Sequence, residues 1–366
     1  MDKILSIIVP SYNMETYLPK CLGSLVVDDK ELLQKLDVIV VNDGSKDRTS
    51  EIAHEFEANY PGVFRVIDKP NGHYGSCINA ALPVASGTFV KVLDADDTFD
   101  CQGLITFIKG LLEQEAREPD SVDAFFTDYV RVNEDGDVAE TLSMGLPIEK
   151  AFSLGELSSK FISDLWMQAV TYRLSIFREI NYKQLEGIPF TDSQWIFHPM
   201  SRVRLARYLP AVVYRYLVGR DGQTIDPVYY GKNFYATRMV TERLMEDYAF
   251  LVQQGTPGGI AYMNERLFAR LMLVYRFYLG KARKEFLGEE GVLREFDAKL
   301  KACAPSLYER TGRVRYVRKI PLGYVSAWRA KNDGNILRWC ILTHILMPVA
   351  KLRWRILALF RGKEMI

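Results

Sequence analysis

Short, almost wholly apolar runs alternate with amphipathic stretches through the first third of the chain. Leu5–Val9 (LSIIV) and Asp37–Val41 (DVIVV) have the composition of strands covered on both faces, where no polar side is needed. Val63–Ile67 and Thr88–Leu93 read as two more strands, and Asp123–Val132 as a further one. Helical spacing fills the gaps: from near Thr16 to Val27, from Arg48 with Asp47 as its cap, over Ser76–Ala85, and over Gln102–Glu115. Strand and helix in alternation predict an α/β fold on a doubly wound, mostly parallel sheet. Val212–Leu217 is a later strand-like run. From Pro227 the period changes, and Tyr229–Gln254, Ile260–Lys281 and Leu287–Lys301 read as helices, with Gly255-Thr256-Pro257-Gly258-Gly259 as a break. The expected division is an α/β domain over 1–225, an α-helical appendage over 226–332 and a basic amphipathic tail over 333–366.

In sheets of this kind, ligands bind beyond the carboxyl ends of the strands. Polar clusters stand at four such ends. Strand one runs out into Pro10-Ser11-Tyr12-Asn13 and strand two into Asn42-Asp43-Gly44-Ser45. Strand three leads to Asn71-Gly72-His73-Tyr74-Gly75, and strand four ends in Asp94-Ala95-Asp96-Asp97. Three carboxylates within four residues repel one another and raise each other's pKa. Alone, that cluster reads either as a solvated acidic turn or as hard oxygen ligands for Mg2+ or Mn2+, a cation that brings phosphate with it. Asn42-Asp43-Gly44-Ser45 alone is a turn. Four ends on one sheet edge make a polar crevice. Lys91, between Val90 and Val92, reads as the polar face of an outer strand rather than a charge turned inward.

Composition narrows the class. The 366 residues carry 47 Lys and Arg against 46 Asp and Glu, so no bulk basicity points to nucleic acid. The distribution is uneven: Arg310 to Ile366 holds 13 Lys and Arg against 2 Asp and Glu, leaving 34 basic and 44 acidic residues before it. There, the apolar run Trp339–Ala350 is rimmed by Arg338, Lys351, Arg353 and Arg355, with Trp354 beyond. It reads as an in-plane membrane anchor or as a helix packed on the domain; the basic rim favours the anchor. Five cysteines (Cys21, Cys77, Cys101, Cys303, Cys340) form no CxxC pair, which fits a reducing compartment and neither a disulfide framework nor a structural zinc site. Asp2 and Pro10 around the first apolar run are not the pattern of a secretory leader, and no run of about 18 apolar residues is present to span a bilayer. The expected location is cytoplasmic, with the inner face of the cell membrane as the surface the tail would reach. Neither Gly-x-Gly-x-x-Gly after strand one nor a GxxxxGK loop occurs, so dinucleotide and P-loop readings lose their support.

Ile8-Val9-Pro10-Ser11-Tyr12-Asn13, Val41-Asn42-Asp43-Gly44-Ser45-Lys46-Asp47, Asn71-Gly72 with Gly75 and Asn79, and Leu93-Asp94-Ala95-Asp96-Asp97 together resemble the inverting family 2 glycosyltransferases of bacterial surface-polysaccharide type. The match follows family order and spacing over roughly residues 1–220. The resemblance implies a GT-A nucleotide-sugar fold, a UDP-sugar donor, a saccharide acceptor and Mg2+ or Mn2+. It implies that Asp43 accepts the imide N–H of uracil, which a carboxylate does well. Pro10 and Tyr12 would wall the base with Asn13 near it, and Asn71 belongs to the same crevice. Gly75 would let backbone approach the nucleotide, with Asn79 one helical turn further on. Asp94 would bond a ribose hydroxyl, Asp96 would hold the metal, and Asp97 would support it through hydrogen bonds.

In Gly187-Ile188-Pro189-Phe190-Thr191-Asp192, the resemblance makes Asp192 the general base, with Thr191 where Glu is commoner. The plain alternative is a carboxylate favoured by a helix N-terminus. In Val218-Gly219-Arg220-Asp221-Gly222-Gln223-Thr224, Arg220 would neutralise the departing diphosphate, since a guanidinium fork matches phosphate oxygens; otherwise it is a solvated turn residue. Trp195 reads as core or as a sugar-stacking ring, and His198 as a local hydrogen-bond partner rather than a metal ligand. The acceptor would be a saccharide hydroxyl, carried on a polyprenyl diphosphate lipid if the tail is an anchor; a homodimer is left open. The rival readings are a nucleotide-sugar-binding scaffold without catalysis and a sugar nucleotidyltransferase, whose Gly-rich basic loop Ser11–Pro19 lacks.

Overall fold

A computed structural model of the chain describes residues 2–146, 150–220, 227–279, 290–314, 316–317, 320–321 and 324–330. The tail expected over 333–366 and residues 221–224 of the Arg220 segment lie outside them. The chain divides into two compact units, Met1–Arg266 and Leu267–Ile366.

The first unit runs β1 (Leu5–Ser11), α1 (Leu18–Gly23), α2 (Lys30–Leu33), β2 (Leu36–Asn42), α3 (Thr49–Asn59), β3 (Phe64–Asp68), α4 (His73–Ala81) and β4 (Phe89–Val92). It continues with β5 (Thr98–Phe99), α5 (Cys101–Arg117), β6 (Ala124–Val132), β7 (Val138–Leu142), α6 (Ser159–Asp164), β8 (Val170–Arg173), α7 (Ser175–Glu179), α8 (Asp192–Trp195) and β9 (Ala206–Leu217). Then come α9 (Pro227–Lys232), α10 (Phe234–Leu251) and α11 (Pro257–Leu279), within which the division between units falls. The second unit adds α12 (Glu290–Cys303), α13 (Pro305–Arg313), two two-residue strands and α14 (Tyr324–Ala330). Among the described residues, no helix is long and apolar enough to cross a membrane.

The sheet order is β3-β2-β1-β4-β8-β6-β9-β5, with β7 on the flank of β6. β3, β2, β1 and β4 are parallel neighbours, and β6 and β9 are parallel too. β8 runs against both β4 and β6. Leu5, Ile7, Ile8 and Val9 of β1 and Val38–Val41 of β2 have no exposed surface, as their unbroken apolar runs require. Each such side chain contributes about 1.5–3 kcal/mol by leaving water.

Several boundaries differ from the sequence reading for local reasons. α4 begins at His73, not Ser76, because Asp43 Oδ1 accepts from the Gly72 amide at 2.9 Å and Ser76 Oγ turns back to the His73 carbonyl at 2.7 Å. β9 starts six residues before Val212. Pro210 interrupts its pattern, and the register with β6 shifts between Thr127 and Tyr129, where a proline without an amide proton is tolerated. The helix expected over Tyr229–Gln254 breaks at Asn233, whose side-chain amide donates to the Tyr229 carbonyl at 3.0 Å. The division expected at 225/226 falls inside the first unit. Tyr262 Oη donates to the Ile196 carbonyl at 2.8 Å, and His198 Nε2 pairs with Asp247 at 2.6 Å, so α10 and the start of α11 belong with the sheet.

Lys91 corrects a second expectation. β4 is a central strand between β1 and β8, so Lys91 has no outer face to occupy. Its side chain is fully buried, and Nζ donates to the carbonyls of Gln168 at 2.7 Å and Val170 at 3.1 Å. Burial pulls its pKa down to about 7. Between about 7 and the ordinary 10.5, the unfolded chain binds more protons than the folded one, so Lys91 makes stability rise with pH in that window and fall as the pH drops through it. In Lys91→Met this dependence is expected to vanish. The wild-type-minus-variant unfolding free energy, measured by urea titration, should climb with pH by up to about 1.4 kcal/mol per unit. A difference that stays flat across the window would show an ordinary lysine.

Candidate active site

Parallel register brings the strand ends together. Ser11 of β1 lies opposite Asn42 of β2, Asn42 lies opposite Asp68 of β3, and the Asp43 amide donates to the Ser11 carbonyl at 2.8 Å. Pro10 near the end of β1 is half-buried, and Tyr12 just beyond it is exposed over 43% of its surface. Asn13 sits at φ 53°; its Oδ1 accepts from the Lys46 amide at 2.9 Å and its own amide donates to Ser45 Oγ at 2.9 Å, tying the end of β1 to the loop after β2. Asp43 is buried. Its Oδ1 holds Lys69 Nζ at 2.6 Å and the Gly72 amide at 2.9 Å. Asn71 braces the same corner, its amide donating to the Asp43 carbonyl at 3.0 Å. Gly44, at φ 72°, has room for no side chain, since a Cβ would stand 2.9 Å from the Asn71 nitrogen.

After β4 the acidic residues separate into different environments. Asp97 is buried and accepts from Tyr214 Oη at 2.6 Å and the Leu217 amide at 2.7 Å, while Tyr214 Oη in turn accepts from the Asp94 amide at 3.1 Å. It therefore fastens the acidic turn to β9. Asp96 Oδ2 accepts two bonds from Arg220, from Nε and Nη2, each at 2.7 Å. Asp94 Oδ1 is buried with no hydrogen-bond partner. Its pKa is pushed up to about 8, first by burial and then by the charges of Asp96 and Asp192. Tyr74 is drawn into the same corner: burial, then Asp94 and Asp192, raises its phenol well above the usual range, and its Oη lies 3.4 Å from Met167 Sδ.

Asp192 is the first residue of α8, as the sequence placed it. The loop before it is held from two sides. Gln184 Nε2 donates to Thr191 Oγ1 at 3.0 Å, Tyr182 Oη donates to Gln184 Oε1 at 2.8 Å, and the Leu185 amide donates to Gln194 Oε1 at 2.8 Å. On the other side the loop locks onto α4. Asn79 Nδ2 donates to the Gln184 carbonyl at 2.9 Å and to Glu186 Oε1 at 2.7 Å, and its Oδ1 accepts from the Gln184 amide at 2.9 Å. The Gly187 amide donates to the Gly72 carbonyl at 2.9 Å. A Cβ on Gly75 would lie 1.8 Å from the Leu185 oxygen. The close backbone approach at Gly75 is thus made by Leu185, and the amide of Asn79 is spent on the same loop.

Left-handed backbone marks the site as well. Among the described residues five non-glycine positions have positive φ; Asn13 and His73 stand at strand ends of this crevice, and Phe190 (φ 64°) stands two residues before Asp192. For an aromatic side chain such a conformation costs on the order of 1–3 kcal/mol and persists only where the surroundings impose it. Trp195 is core: it is 1% exposed and packed among Tyr172, Phe177 and Tyr182. Lys69, Tyr74, Gln184 and Tyr214 are site residues that the motifs did not single out. Tyr74 stands beside Gly75 in a stretch already marked as polar crevice, whereas nothing local distinguishes Gln184.

The donor set suits a hard cation. Asp94 carries an orphaned buried oxygen, Asp96 holds a cationic partner, and carboxylate oxygens are what Mg2+ and Mn2+ take. Asp94 and Asp96 would hold it; among the described residues, no group of three or more His, Cys, Asp and Glu side chains could hold a metal ion.

A mostly parallel sheet with a polar crevice at its strand ends and a helical C-terminal region matches the GT-A fold of glycosyltransferases. Residues 6–135 match the family model described as glycosyl transferase family 2, so this part of the chain is a family 2 glycosyltransferase domain. The chain is 38% identical over 98 residues to the uncharacterized glycosyltransferase MG025 homolog of Mycoplasma pneumoniae, covering 26% of this chain and 32% of that one. It is 26% identical over 264 residues to the uncharacterized glycosyltransferase YibD of Escherichia coli K12, covering 67% of this chain and 72% of that one. Against the chondroitin synthase of Pasteurella multocida it is 32% identical over 133 residues, or 13% of that protein. The chain thus spans about a third or less of the length of the first curated relatives it matches. In three dimensions it resembles S. aureus TarS 1–349 in complex with UDP-GlcNAc, with a TM-score of 0.59 at 20% identity over 83% of this chain and 82% of that one.

Proposed function

We propose that the chain is a metal-dependent, inverting glycosyltransferase that moves a hexose or N-acetylhexosamine from a UDP-sugar to a saccharide hydroxyl in bacterial surface-glycan assembly. One observation carries the reading. Asp94 stands close enough to Asp192 that the charge of Asp192 helps raise its pKa, and Tyr74 feels both carboxylates, so the acidic turn after β4 and the helix-borne carboxylate are neighbours. Asp43, with Pro10 and Tyr12 at the neighbouring strand end, supports a uracil at one end of the crevice. Asp94 would meet the ribose, and Asp94 and Asp96 would hold Mg2+ or Mn2+, which supplies charge compensation for the diphosphate when bound.

Asp192 takes the proton of the acceptor hydroxyl. The oxygen attacks the anomeric carbon from the face opposite the nucleotide, the carbon–oxygen bond to UDP breaks, and UDP leaves with the electron pair. Arg220, released from Asp96, neutralises the leaving diphosphate. Similarity to bacterial glycosyltransferases and to a structure that holds UDP-GlcNAc supports the donor class. The basic tail supports a lipid-linked acceptor at the membrane surface.

Mixing the protein with UDP-glucose or UDP-GlcNAc, Mn2+ and a saccharide acceptor panel should release UDP, with transfer lost on chelation. Pyrophosphate formation instead would identify a nucleotidyltransferase, and binding of UDP without release from any donor would identify a scaffold.

A further inference from the structure

Phe190 is held in the left-handed region at φ 64°, two residues before Asp192. Its ring meets Tyr230 edge-on at 5.3 Å between centroids and Tyr229 at 6.2 Å. Tyr230 is fixed from behind by Phe234, edge-on at 5.7 Å, and by the Thr237 hydroxyl, 3.4 Å from its Oη. Tyr229, at the outer end of this stack, is 39% exposed. The loop before Asp192 and α9 thus build an aromatic wall that begins two residues before the carboxylate that would activate the acceptor. Nothing in core packing requires an aromatic side chain in a strained backbone conformation to be only half-buried.

We infer that Phe190 and Tyr229 form the acceptor platform, on which the apolar C–H face of a pyranose ring lies with its hydroxyl rim turned to Asp192. A pyranose has one face of C–H bonds and a polar edge. A tyrosine supplies flat apolar area together with a hydroxyl, and few rotatable bonds are lost on binding. The strained Phe190 keeps the wall in place before the sugar arrives, so little ordering remains for binding to supply. The inference rests on the glycosyltransferase reading and names the substrate class its acceptor side takes.

The test uses the full chain loaded with UDP and Mn2+. Methyl β-glucopyranoside, methyl β-galactopyranoside and their N-acetylamino counterparts serve as probes, followed by saturation-transfer NMR. At least one glycoside should bind, with saturation strongest on its ring C–H protons. Tyr229→Ala should weaken that binding by about tenfold or more while Tyr229→Phe retains most of it. Phe250→Ala, which removes a 60% exposed ring elsewhere on α10, should leave it as in wild type. UDP affinity, measured by calorimetry on each variant, should not move. Unchanged glycoside binding in Tyr229→Ala, no glycoside binding to wild type, or an equal loss of UDP affinity would overturn the platform. Failure of wild type to bind UDP at all would instead overturn the reading beneath it.

Discussion

Asp192→Asn is expected to lower turnover by about 10²–10⁴-fold, the range that a positioned general base contributes. Asparagine keeps the size of the side chain and its place at the start of α8, so the fold around Thr191, Gln184 and Gln194 should stand. It cannot take a proton. The proposed nucleotide corner, at Asp43, Asp94 and Asp96, lies on other elements, so UDP affinity by calorimetry should match wild type. Turnover close to wild type with an acceptor at saturation would remove Asp192 from the role of base. Loss of UDP binding together with turnover would mean that the substitution disturbs the fold rather than the chemistry.

Gly75→Ala has the largest expected structural effect. The new methyl would stand 1.8 Å from the Leu185 oxygen and 2.8 Å from its carbonyl carbon, which are backbone atoms that no rotamer change can move. Overpacking of this kind costs about 1–3 kcal/mol and occasionally more. Relief requires the loop to back away from α4, which strains the three hydrogen bonds between Asn79 and residues 184 and 186 and shifts the segment that leads to Asp192. The variant should show a lowered urea midpoint, and kcat should fall more than the affinity for UDP. Asn79→Ala should move in the same direction with a smaller loss, because the glycine contact remains. Wild-type stability and turnover in Gly75→Ala would show that the loop can shift without consequence.

Much of this architecture was legible before any coordinates. The unbroken apolar runs of β1 and β2 could only be buried strands, and polar residues at four strand ends located the crevice. Asp192 does begin a helix. What escaped is what depends on neighbours distant in sequence. β8 is four residues long and runs against β4, and a short strand in that direction leaves no alternation to read. Lys91 looked like a surface residue because its alternation with valines is what an edge strand shows; that β4 is central depends on β8. Gly75 and Asn79 matched motif positions, yet their contacts run to Leu185, Gln184 and Glu186, about a hundred residues further along. Gln184 carries no local mark at all, since its importance comes from the hydroxyl of Thr191 and the loop it stiffens.

The pairing of Arg220 with Asp96 bears on the order of events in a catalytic cycle. A buried acidic turn without a counter-charge would open to solvent, so the resting chain carries its own cation there. An ion that took Asp96 Oδ2 would displace a guanidinium holding two short bonds to it. That displacement is easiest when an anion is present to receive the freed arginine, and a diphosphate is such an anion. Linkage then makes the effect reciprocal: nucleotide strengthens the hold on the ion, and the ion strengthens the hold on nucleotide, by the same factor. Cation and nucleotide should therefore load together and depart together, and the arginine restores the resting charge balance once both have gone.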